Sequence, residues 1–97
     1  MSLIVPKQFS LGGIEVVVVE DKDLVSRKKC IGEAQYAEQK ILIDHSVTPD
    51  DSINQAFYHE LTHWILYMMS EHDLRQNEKF VDTFAHFLYQ FEKTKVM

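Results

Sequence analysis

Residues 59–63 read His-Glu-Leu-Thr-His, two histidines four positions apart with a glutamate directly after the first. On an α-helix four residues are about one turn, so both imidazoles project from one face and can reach a single metal ion. Glu60 is turned by ~100° from His59, into a neighbouring sector where it can take a proton from a water without being a ligand. Zinc held by such a pair acidifies water toward a pKa of ~7 and polarises a carbonyl, which is hydrolytic chemistry. The pattern predicts His59 and His63 as metal ligands and Glu60 as general base. A shuffled chain of this composition would contain it with a probability of roughly 2 %.

Two histidines do not complete a catalytic zinc site, which takes three protein ligands and leaves the fourth position open. The stretch Asn77-Glu78-Lys79-Phe80-Val81-Asp82 offers two carboxylates one turn apart. Glu78 is the expected third ligand, with Asp82 orienting a histidine through its free N–H. His86, one turn beyond Asp82, could replace Glu78 or donate to a developing oxyanion. Tyr67, one turn after His63, and Tyr36 carry hydroxyls able to polarise a substrate carbonyl. Each has a plainer reading too: His86 as a surface or packing residue, the tyrosines as rim or core, the motif as two solvated histidines. His45 and His72 read as ordinary loop residues.

These groups need a scaffold. From Thr48 as N-cap and Pro49 as first helical residue, with Asp50 and Asp51 in the first turn, a helix is predicted to about Met69. Its apolar stripe is Ile53, Phe57, Leu61, Trp64, Ile65 and Met68, and the histidines lie on another sector flanked by Ala56, Leu66 and Tyr67. A helix apolar nearly all round is covered on most sides, and its buried polar group then needs partners. After a polar break at residues 70–73, a second helix runs from Asn77 to about Lys93. Phe80, Phe84, Phe87, Leu88 and Phe91 form its stripe, expected to be core, although that stripe points well away from Glu78 and Asp82. If those acids face the motif helix, some of the phenylalanines must pack on the sheet, on the N-terminal arm or on another subunit, the last being a homodimer through this helix.

Before the helices, Ile14–Glu20, Cys30–Tyr36 and Lys40–Asp44 read as strands, with Gly12-Gly13 as punctuation, 21–23 as a solvated turn and 37–39 as a hairpin loop. The expected class is α+β: a small antiparallel sheet of about three strands, then the motif helix and a second long helix. Gly32 would allow a peptide backbone to approach the Gly32–Tyr36 edge.

The 97 residues suit a single domain spanning 1–97, and 45 % hydrophobic with 26 % charged residues excludes collagen-like and mostly disordered classes. Net charge is −5, and the basic clusters at 27–29 and Lys93/Lys95 are too small for a nucleic-acid footprint. No stretch approaches the ~20 apolar residues that span a bilayer, and Met1–Pro6 lacks a leader pattern. Cys30 is the single cysteine, which favours a reducing compartment. A cytoplasmic protein, with no nucleic-acid or membrane partner, is expected.

His-Glu-x-x-His followed on the next helix by Asn-Glu-x-x-x-Asp resembles the gluzincin branch of zinc metallopeptidases. The resemblance implies zinc ligation by His59, His63 and Glu78, general-base catalysis by Glu60, and support of a histidine by Asp82. A short sheet before the active helix, on so short a chain, also resembles minimal zincins, including small phage and prophage metallopeptidases and, more distantly, ImmA/IrrE-type proteases. The resemblance covers roughly residues 30–90 in order of elements. Thermolysin-like enzymes are several times longer and have a longer ligand interval than His63 to Glu78. Leu66 and Met69 occupy the positions of the metzincin extension, which excludes that branch. The expectation is a zinc metallopeptidase acting on a peptide or protein; the alternative is a non-catalytic, zinc-containing interaction module on the same scaffold.

Overall fold

The computed structural model describes residues 4–97. The first three residues, the head of the segment read above for a leader, lie outside the described residues. β1 (Gln8–Leu11) and β2 (Ile14–Glu20) form a hairpin in which Leu11 pairs with Ile14. The two residues between them, Gly12 and Gly13, have φ of 56° and 84°, a backbone that side chains resist and tight hairpins require. β1 itself was absent from the sequence expectation. Next come α1 (Leu24–Lys28), β3 (Gly32–Gln35) and β4 (Lys40–Ile43).

The sheet has the order β1-β2-β4-β3, with β2 and β4 parallel and the other neighbours antiparallel. The fold is α+β as expected, but its sheet is mixed and four-stranded rather than antiparallel with about three strands. The physical reason is α1, which begins just after the interval read as a solvated turn. It reverses the chain and sets β3 beyond the strand next to β2, so β4 returns into the gap. Asp21 accepts hydrogen bonds from the Asp23 N–H at 3.1 Å and Arg27 Nη2 at 2.7 Å, and buried Asp44 accepts from the Val25 N–H at 3.1 Å. These bonds hold α1 to both strand ends. The central position explains why Ile41, Leu42 and Ile43 are all apolar and buried instead of alternating.

Three helices complete the chain: α2 (Asp50–Met68), α3 (His72–Arg75) and α4 (Glu78–Thr94). α2 packs on β3 and β4 on one side and on α4 on another. Ile53, Phe57 and Trp64 of the predicted stripe are buried beside Val16, Ile41 and Ile43, and Phe57 meets Phe9 edge-on at 5.9 Å. α2 starts one residue later than expected: Pro49 occupies the cap position, and no side chain caps the helix. Thr48 is therefore not its N-cap. The expected polar break at 70–73 runs into a short helical turn, α3, which starts within it at His72.

The largest departure concerns α4. Its buried residues are Val81, Ala85 and Tyr89, while Phe84, Phe87 and Phe91 are 48, 64 and 59 % exposed. Of the expected stripe Leu88 packs against the core and Phe80 is half-buried, while the other three phenylalanines face outward and are not core. α4 meets α2 with the face that carries Glu78 and Asp82, and small Ala85 at its centre lets the two helices approach closely. Among the described residues no helix is long and apolar enough to cross a membrane.

Candidate metal centre

The two helices that carry the motifs face each other. Asn77 caps α4, its side chain accepting from the Phe80 N–H at 3.1 Å, which sets Glu78 in the first turn where the helix dipole favours a carboxylate. Glu78 and Asp82 fall on the same side as Val81, Ala85 and Tyr89, so burying that stripe against α2 delivers both acids to the histidines.

There the geometry is compact. Glu78 Oε2 lies 3.1 Å from His59 Nε2, and Glu78 Oε1 lies 3.4 Å from His63 Nε2. One atom from each of the three residues fits within a mutual separation of 4.8 Å. A tetrahedral zinc with bonds of ~2.0–2.1 Å separates its ligand atoms by about 3.3 Å, so the donor set and its spacing fit such an ion. On the far side of the His59 ring, Nδ1 lies 3.3 Å from Asp82 Oδ1. That contact fixes which nitrogen points at Glu78, as outer carboxylates do for metal-binding histidines. His63 is steadied by a hydrogen bond to the backbone of Arg75, at the end of α3. Burial pulls the His63 pKa below its ordinary value, with Glu78 opposing, so the ring favours the neutral form that can bind a metal.

Glu60 projects elsewhere, onto β3. It is only 8 % exposed, and burial pushes its pKa up from 4.5 to about 7, against smaller lowering contributions from His59 and a hydrogen bond from the Ala34 backbone. A Cβ added to Gly32 would sit 2.9 Å from Glu60 Cγ and 3.2 Å from Ile43 Cδ1. Gly32 therefore makes room for Glu60 itself, where the sequence suggested room for an incoming peptide. A carboxyl with a pKa near neutrality is matched to general-base work at pH 7.

His59 and Glu60 lie at the junction of two surface depressions of about 630 and 490 Å³, which also share Cys30 and Gly32. The larger runs along α4 past Asp82, His86 and Tyr89; the smaller passes His63, Glu78, Tyr36 and Arg75. The smaller depression follows β3, an edge strand of the sheet, past Gly32, Glu33 and Ala34, whereas the larger meets that strand only at Gly32. His86 thus lines the groove one turn from Asp82, outside the His59–His63–Glu78 group. Tyr67 stacks on Tyr36 at 4.3 Å and meets Trp64 edge-on at 5.6 Å. Of the two tyrosines, Tyr36 is the one lining the groove, with the Arg75 guanidinium 5.0 Å from its ring centre. Thr62 inside the motif donates to the Tyr58 carbonyl at 2.8 Å, tying its hydroxyl to the helix.

Comparison with protein-family models, curated proteins and solved structures finds no match to this chain.

Sequence reasoning missed Arg75, whose backbone holds His63, and the pairing of Gly32 with Glu60. The Asp73 and Arg75 flanks of Leu74 carry no helix period over four residues, so α3 had no signal to find. Gly32 was legible as a site of close approach, but not what approached.

Proposed function

We propose that this protein is a small zinc-dependent metallopeptidase of the gluzincin type. The observation that carries the reading is the placement of Glu78 between the two histidine Nε2 atoms at 3.1 and 3.4 Å, with buried Glu60 beside them. His59, His63 and Glu78 would hold the ion, and Asp82 would orient His59. Zinc bound there supplies a Lewis acid that acidifies water and polarises the scissile carbonyl. Glu60 accepts the proton of the attacking water and returns it to the leaving amine. The substrate is a peptide or protein segment in extended form, lying in the groove along β3, whose outer edge can pair with a further strand. A cytoplasmic setting goes with this reading, since a lone thiol at Cys30 needs no oxidising compartment.

The test is metal content and peptide hydrolysis in protein purified without chelators or a polyhistidine tag. The wild type should carry about one zinc per chain and cleave an unstructured protein substrate. Glu60→Gln should keep the metal and lose hydrolysis, and His63→Ala should lose both. Hydrolysis retained by Glu60→Gln refutes the mechanism. Zinc without hydrolysis in the wild type moves the chain to the non-catalytic interaction module.

A further inference from the structure

We propose that this protein forms a two-fold symmetric homodimer through the outer face of α4, by an antiparallel pairing of that helix with its copy. Phe80, Phe84, Phe87 and Phe91 succeed one another at intervals of four, three and four residues, and Asn77 and Thr94 extend the series by three at either end. That alternation is the a/d seam of helix-on-helix packing, narrower than the stripe a helix turns to a globular core. The core-facing side of α4 is already committed through Val81, Ala85 and Tyr89, so the seam belongs to a different contact.

The surface is preformed. Phe80 and Phe84 stack with ring centres 5.9 Å apart, beside a depression of about 430 Å³ bordered by Lys79, Thr83 and Phe87. Phe84, Phe87 and Phe91 together leave on the order of 350 Å² exposed, taking ~200 Å² per full phenylalanine. A stable complex buries about 800 Å² on each partner, and the flanking Phe80, Lys79, Thr83, Gln90 and Lys95 lie where they extend the patch toward that area. In the antiparallel arrangement Phe84 opposes Phe87 of the second copy, Phe80 opposes its Phe91, and the helix dipoles run in opposition.

Charge selects a second copy over other occupants. The chain is acidic overall, at −5, yet the seam itself carries no carboxylate, because Glu78 and Asp82 are turned inward to His59 and His63. Thr83 and Gln90 flank one side and are neutral, and in this register Lys79 falls level with Glu92 of the second copy, so like charges are not set opposite each other. An anionic lipid surface would need several cations around the apolar stripe, but Lys93 is held by Asp51 and Lys95 by Glu92, each at 3.3 Å, which leaves Lys79 alone beside it. A basic partner would find no acid on the seam.

The experiment is multi-angle light scattering during size exclusion on the full chain, from ~1 to ~100 μM loaded protein, with a Phe84→Glu/Phe87→Glu double variant alongside. The wild type should move toward twice the 11.4 kDa chain mass as concentration rises. The double variant should remain at the monomer mass at all concentrations. Both rings are exposed within one chain, so the variant should keep the wild-type melting cooperativity at low concentration and its zinc content. A wild type that stays monomeric throughout overturns the proposal, and so does a dimer that persists in the double variant. A monomer that co-sediments with vesicles containing phosphatidylserine also overturns it and assigns the face to a membrane. The outcome is independent of whether the metal centre hydrolyses peptides.

Discussion

Replacing Glu60 by glutamine should stabilise the metal-free protein, by an amount that depends on pH in a defined way. Glu60 has a folded-state pKa of about 7 against 4.5 for an ordinary glutamate. A carboxyl with a raised folded pKa is bound by more protons in the native state than in the unfolded one between those values. Stability is therefore full below pH ~4.5, falls as pH rises through the window, and the loss is complete above pH ~7. At 1.36 kcal/mol per unit, the ionised Glu60 costs the apo fold about 3 kcal/mol. Glutamine matches the shape of the protonated acid, fills the space over Gly32 and can still accept from the Ala34 N–H, but does not ionise. Urea unfolding in the presence of a chelator, from pH 4.5 to 8, should show Glu60→Gln and wild type unfolding alike at the acid end. At pH 8 the variant's midpoint should be higher by about 2 M, for a slope of ~1.5 kcal/mol/M. Zinc should shrink the gap, because a neighbouring dication favours the carboxylate. A difference that stays flat within about 0.5 kcal/mol across the range would refute the claim that burial against β3 holds Glu60 near neutrality.

Other perturbations separate position from chemistry. Gly32→Ala puts a methyl 2.9 Å from Glu60 Cγ, so it should destabilise by about 1–3 kcal/mol and lower hydrolysis by tenfold or more; unchanged kcat/KM would contradict the contact. Asp82→Asn should weaken zinc binding by about 10–100-fold and Glu78→Ala by more, read by competition with a chromophoric chelator; equal affinities would remove Glu78 from the site. The Glu78 side chain is 68 % exposed, so the same Glu78→Ala change should leave apo stability within about 0.5 kcal/mol. Ala85→Leu inserts three carbons between α2 and α4 and should cost about 1–3 kcal/mol while also lowering zinc affinity, because Glu78 and Asp82 ride on the displaced helix. A lowered melting temperature with unchanged zinc affinity would argue against that coupling.

The parts of this protein legible in sequence are those whose determinants are local. The spacing of His59 and His63 puts them on one helical face whatever surrounds them. Asn77 ahead of Glu78 starts a helix and brings Glu78 and Asp82 one turn apart; the two β-branched and apolar runs at 14–20 and 40–44 mark β2 and β4. What remained hidden depends on contacts between distant segments. The parallel pairing of β2 with β4 follows from α1 reversing the chain, held at Val25 by buried Asp44 nineteen residues away, and no pattern within either strand encodes its neighbour's direction. The raised pKa of Glu60 exists only because β3 passes over it at Gly32. The Phe stripe shows the limit most plainly. By hydrophobicity alone four phenylalanines outweigh Val81, Ala85 and Tyr89, and a core was the natural expectation. Sequence determined that α4 is amphipathic twice over, with an aromatic face and an acid-bearing face. Only the tertiary structure decided which face turns inward, because close packing on α2 accepts a small residue at position 85 and brings the two carboxylates to the histidines.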